Sequence, residues 1–251
     1  MSFDVVDLRD FYATSLGAVA RRMVNRQIRA LWPDVGGMSL LGFGYATPYL
    51  RPYLDEALRV CVVMPDRMGV LTWPSGSPGE KNLSLVARED EIPLPDLSIN
   101  RIVMVHGLES SENAGHLLRE MWRVLSDGGR LIVVVPNRRS IWARADHTPF
   151  GHGHPYSMEQ LNRVLRQSMF TPVRETCALF FVPSRRRFWV TAAPAWERIG
   201  ERWFSPLGGV AIVEATKQIY GAAADGKTAR RRVYMPAPAP SPQSARSPVA
   251  D

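Results

Sequence analysis

The stretch EIPLPDLSINRIVMVHGLESSENAGHLLREMWRVLSDGGRLIVVVPN (Glu91–Asn137) decides the fold class. Ile99–Glu109, INRIVMVHGLE, is a nearly continuous apolar run of the kind buried on both faces of a parallel sheet. Glu112–Leu125 follows at helical spacing, with Leu117, Leu118, Met121, Val124 and Leu125 on one side. Asp127-Gly128-Gly129 ends that helix, and RLIVVVPN (Arg130–Asn137) is a second apolar strand. Strand, helix and strand in this order make a crossover between parallel neighbours.

The same alternation extends outward in both directions. Asp7–Trp32 carries Phe11, Leu16, Val19, Met23, Ile28 and Leu31 and predicts one amphipathic leading helix. GMSLLGF (Gly37–Phe43) predicts a first strand. TPYLRPYLDEAL (Thr47–Leu58) predicts a helix with Thr47 as N-cap and Pro48 in its first turn, and Pro52 limits the bonding of that turn. RVCVVMP (Arg59–Pro65) and LSLVARED (Leu83–Asp90) read as further strands, joined by the turn-rich Gly69–Asn82. After Asn137 comes a histidine-bearing loop, then a helix from Ser157, opened by a Ser157/Gln160 capping box. Val173–Pro183 and Gly208–Tyr220 are two last strand candidates, separated by a helical Arg/Trp-rich insert over about 184–205. The expectation is an α/β fold: a Rossmann-like, seven-stranded, mostly parallel sheet with helices on both faces. Ligands in such sheets bind outside the carboxyl ends of the strands.

Composition agrees with one globular domain, expected over residues 1–220. Hydrophobic residues make up 45% and charged residues 22% of 251. Residues 221–251 are rich in Ala, Pro, Ser and Arg and predict a disordered tail. The formal charge is +7; the tail holds five of the basic residues against Asp225 and Asp251, so +3 of that charge sits there. Cys61 and Cys177 each lie in an apolar run and read as buried reduced thiols. No apolar run reaches the roughly 20 residues that span a bilayer. The start, MSFDVVDLRDFYATSLG, lacks a basic-then-apolar signal pattern, so a cytoplasmic location is expected.

Several residues fall in register with a known pattern. Ile92-Pro93-Leu94, Asp96, Ser98, Val103, His106, Leu108 and Glu109, then Arg123-Val124-Leu125 and Gly128-Gly129, resemble the class I S-adenosylmethionine-dependent methyltransferases, in the branch with small-molecule and quinone methyltransferases. The likeness covers roughly Leu31 to Thr171. It implies S-adenosyl-L-methionine as cofactor, held by the loops after the first four strands. In SLLGFGYATPYL (Ser39–Leu50) the implied contacts are Gly42, Gly44, Tyr45 and Ala46. After the second strand they are Met64, Pro65 and Asp66; after the third, Glu89 and Asp90; after the fourth, His106. Two departures stand out. Leu40 occupies the acidic position before the glycines, and Met64 the place of the ribose-binding carboxylate, so the cofactor loop is divergent.

Methyl transfer from a sulfonium needs alignment and exclusion of water, sometimes with a base. His106, and His154 in the FGHGHPY run, are the candidate catalytic residues; His152 and His154 alone do not make a metal site. The acceptor is expected to be a small, partly apolar molecule. DNA is disfavoured, because HGLE (His106–Glu109) stands where amine-modifying enzymes carry an Asp/Asn-Pro-Pro-aromatic motif, and RNA stays open. In the insert, Phe188, Trp189, Trp196, Ile199, Trp203 and Phe204 interleave with Arg185, Arg186, Arg187, Arg198 and Arg202. That pattern suits a lid, a protein partner or a membrane surface. Two further readings remain: a catalytically silent scaffold or regulatory subunit of the same fold, and an RNA- or membrane-surface-binding protein.

Overall fold

The computed structural model describes residues 4–74, 81–184 and 186–218. The chain divides into a compact unit, Met1–Ile219, and a second, Tyr220–Asp251, which with the expected tail lies outside the described residues; so does Arg185. Seven strands form one sheet: β1 (Ser39–Gly44), β2 (Arg59–Pro65), β3 (Ser84–Ala87), β4 (Ile99–Val105), β5 (Leu125–Pro136), β6 (Phe170–Ala178) and β7 (Val210–Lys217). Their order is β3-β2-β1-β4-β5-β7-β6. The first five are parallel, and β7 runs antiparallel between β5 and β6. The order reverses between β1 and β4, which sets a crevice at their carboxyl ends.

Each sheet face has its own core. On one side lie α1 (Val5–Ala13), α2 (Ser15–Leu31), α3 (Thr47–Leu50) and α6 (Arg187–Trp203). On the other lie α4 (Ala114–Val124) and α5 (Met158–Gln167). The capping box at α5 forms as its sequence predicts: Gln160 N–H donates to Ser157 Oγ, and Ser157 N–H to Gln160 Oε1. Both cysteines are free thiols, and burial pushes each up to about 11.

Three local expectations are corrected. The leading helix is two helices, broken at Thr14, whose hydroxyl donates to Phe11 O and accepts from Gly17 N–H as the cap of α2. The helix expected over Thr47–Leu58 is a single turn followed by a 3-10 turn, Arg51–Tyr53. Pro52 has no N–H for the carbonyl of Pro48; that carbonyl instead accepts from Asn25 Nδ2 of α2 at 3.2 Å. Third, strand and helix do not alternate throughout. Among the described residues no helix joins β2 to β3 or β3 to β4, where Pro74, Pro93 and Pro95 and polar turns interrupt the chain.

Gly44 ends β1 with φ +77°, and a methyl group added there would stand 2.3 Å from the carbonyl oxygen of Val105. Gly44→Ala is therefore expected to cost about 2–4 kcal/mol, from strain and from separating β1 and β4. Urea denaturation of the full chain checks this, and an unchanged midpoint would contradict it.

Candidate active site

His106 follows β4 directly and has φ +55°, a left-handed conformation uncommon outside glycine. The sharp turn folds the chain back so that Glu109 meets its ring. His106 Nδ1 lies 3.1 Å from Glu109 Oε1, and Nε2 lies 2.9 Å from the Tyr12 hydroxyl of α1. Tyr12 is in turn 2.7 Å from the Tyr49 hydroxyl of α3. All four groups are buried. Burial, reinforced by Tyr49, holds the Tyr12 phenol well above its ordinary range, and burial also raises Tyr49. Both phenols stay neutral, and with a neutral ring at His106 the bonds run from Tyr49 to Tyr12, from Tyr12 to His106 Nε2, and from His106 Nδ1–H to Glu109 Oε1; the reverse order, His106 Nε2–H to Tyr12 and Tyr12 to Tyr49, also satisfies both tyrosines.

One atom is left out. Glu109 is 2% exposed, yet its Oε2 has no hydrogen-bond partner. A buried carboxylate oxygen without a donor is costly unless something supplies one. Glu109 lines a cleft of about 620 Å³ at the carboxyl edge of the sheet. His106, Ser111, Glu112, His154 and Tyr156 share its polar wall, and Leu8, Met68 and Pro149 its apolar wall. The loop 149–156 is held across it by His154 N–H donating to Glu109 O at 2.8 Å. Among the described residues no group of three or more His, Cys, Asp or Glu is placed to hold a metal.

The expected site residues divide. His106 and His154 come together in the cleft, whereas the others are not among its walls. Gly42 faces its own chain: a methyl group there would meet Leu50 Cδ1 at 2.5 Å and Ala46 Cβ at 2.9 Å. Tyr45 and Ala46 are buried, and the Tyr12 ring stacks on Tyr45 at 5.5 Å. Met64 is fully buried, while Asp66 is exposed and accepts from the N–H of Arg67. Pro65 closes β2 beside Ala87. Asp90 pairs with Arg88 at 2.7 Å, and Glu89 accepts from Asn113 N–H at 3.4 Å. Tyr12 and Glu109 were not singled out as functional by their sequence. Glu109 was legible as part of the His106–Glu109 run that carries the family resemblance, three residues past a strand-end histidine, and Tyr12 only by its place on an amphipathic helix.

A cofactor with sulfonium and ammonium centres asks for carboxylate oxygens. The strand-1 and strand-2 positions, Leu40 and Met64, supply none, but the unpartnered Oε2 of Glu109 does. The residues present fit such a group at the end of β4 through Glu109, with Ser111 beside it on the cleft wall; both ring nitrogens of His106 are already engaged, and Glu109 Oε2 is buried.

Strand order, the antiparallel seventh strand and the carboxyl-edge cleft define a Rossmann-like methyltransferase fold. Residues 41–133 match the family model described as Methyltransferase domain. Solved structures agree in fold. An S-adenosylmethionine-dependent methyltransferase from Thermotoga maritima superimposes with TM-score 0.60 at 18% identity, over 85% of this chain and 96% of that one. One from Mesorhizobium loti gives 0.54 at 18%, over 76% and 96%. One from Archaeoglobus fulgidus gives 0.52 at 18%, over 78% and 94%. No curated protein sequence matches the chain.

Proposed function

We propose that the protein transfers a methyl group from S-adenosylmethionine to a small, partly apolar acceptor bound in the cleft beyond β4 and β5. The observation that carries this is the buried His106–Glu109 pair beside that cleft, with one carboxylate oxygen of Glu109 buried and unpartnered. The cofactor supplies an already activated methyl, so the chain has to bind, orient and keep water out. Leu8, Met68 and Pro149 offer the acceptor apolar surface. His106, oriented by Glu109, has the geometry of a base with its orienting partner: Nδ1 is engaged, and Nε2 takes a proton from whichever hydroxyl or amine replaces Tyr12. His154 stands on the facing loop and fits a substrate contact.

A second reading, a silent scaffold of the same fold, is favoured by the Tyr12–Tyr45 stack and by the filling of the space beside Gly42. Calorimetric titration of the full chain with S-adenosylmethionine and S-adenosylhomocysteine separates the two. Micromolar binding is expected for the enzyme; no heat at millimolar ligand would establish the scaffold instead. Substituting Gly44 is a poor control here, because its contacts are with the protein's own backbone.

A further inference from the structure

We propose that α6 docks the protein onto an anionic phospholipid surface, lying in the plane of the interface. The helix is anchored along one side. Ala193, Glu197 and Gly200 face inward at helical spacing. Glu197 is fully buried and accepts both the Leu179 and the Phe180 N–H at 2.8 Å, while Gly200 lies hard against Phe180. These contacts fix which side of the helix meets solvent.

That outer side is aromatic. Phe188 and Trp203 are 71% and 72% exposed, and Trp196 and Ile199 between them are nearly half exposed. Trp189 joins the row, its ring 5.5 Å from Phe188 and 6.3 Å from Trp196. Phe204 and Leu207 continue it past the helix end and flank an apolar groove of about 310 Å³ that reaches Ile141. Single exposed apolar residues are ordinary, but a contiguous aromatic row marks a contact surface.

Charge selects the partner. Arg198 and Arg202 are exposed beside the row, with Arg202 6.0 Å from the Trp203 ring, and Arg139 borders the groove. The helix carries two carboxylates, and neither competes. Glu197 is buried against backbone N–H groups, and Glu201 is engaged by Arg26 and Gln27 of α2. The surface is thus cationic as well as apolar, complementary to a phospholipid headgroup layer with acyl chains beneath. No helix among the described residues is long and apolar enough to cross a membrane, so the geometry is that of lying on it.

The test is co-sedimentation of the full chain with vesicles of phosphatidylcholine alone and of phosphatidylcholine with phosphatidylglycerol. Retention is expected on the anionic vesicles, with a blue shift of tryptophan emission and release by added salt. The double variant R198E/R202E should lower the partition coefficient by about 25-fold or more, near fivefold for each charge lost at the surface. F188E/W203E should lower it by about tenfold or more by removing apolar insertion. All four positions are exposed apart from the helix's anchoring side, so circular dichroism should be unchanged. The tail stays intact in every variant, so any pull from its arginines is common to all. Equal retention on neutral vesicles, or variants that sediment like the parent, would overturn the proposal. So would self-association abolished by F188E/W203E without lipid binding, which would assign the row to a second copy of the chain.

Discussion

Glu109→Gln is expected to weaken cofactor binding by about 10- to 100-fold, without loss of thermal stability. The affinity change follows from removing a charge-assisted partner, about 1.5–3 kcal/mol. Stability is expected to hold because glutamine still offers Oε1 to His106 Nδ1–H, while the orphaned Oε2 is replaced by a neutral amide. Titration with both S-adenosylmethionine and S-adenosylhomocysteine makes the outcome specific. Both ligands carry the ammonium, and only the first carries the sulfonium. An equal loss for both assigns Glu109 to the ammonium, and a loss confined to S-adenosylmethionine assigns it to the sulfonium. Unchanged affinity for both would mean that the cationic centres are held elsewhere.

Glu214→Ala is expected to destabilise the fold by about 3 kcal/mol, or about 6–12 °C in Tm. The Glu214 carboxylate is fully buried on β7. Oε1 accepts from Trp32 Nε1 at 2.8 Å and Arg130 Nη1 at 3.0 Å, and Oε2 from Arg174 Nε at 2.6 Å. Arg174 also donates to Leu31 O, so one side chain ties the end of α2 to β5, β6 and β7. Burial alone would raise the Glu214 pKa, but these donors more than offset it and hold the carboxyl below its ordinary 4.5. The sign of the pH effect follows. A depressed folded-state pKa contributes stability above the unfolded value, and that contribution fades as pH falls below 4.5 toward the lowered value. Thermal melts should therefore decline in that window for the parent chain and more shallowly for Glu214→Gln. Parallel curves for the two would show that Glu214 does not govern the acid limb.

Much of this architecture was readable because apolar runs are insensitive to detail. Ile99–Val105 and Leu131–Val135 have no alternative to a doubly covered sheet, and Ser157 with Gln160 announces a helix start through two local bonds. The failures share a cause. Whether Pro52 ends α3 depends on an acceptor finding Asn25 of α2, a partner 23 residues from Pro48. The site was half legible for a related reason. His106 and His154 sit at loop positions where strand ends must gather, so position alone was informative. Gly42 and Gly44 have the same spacing whether they approach a ligand or Leu50 and Val105, and only coordinates distinguish these. The convergence of Tyr12 on Glu109 through His106 needs a left-handed turn that a histidine does not advertise.

The place of β7 has a bearing on how the protein is made. It is the last described strand, yet it lies inside the sheet, paired on both sides along Val210–Lys217. Until those residues leave the ribosome, β5 and β6 each present an open row of backbone donors and acceptors, with no closer neighbour to cover them. A nascent chain stalled before Val210 would thus expose the apolar edge of β5 and leave β6 without its partner, a template for association with other chains. Translation through this final hairpin, rather than collapse of the parallel half, is the step at which the growing chain becomes safe from its neighbours.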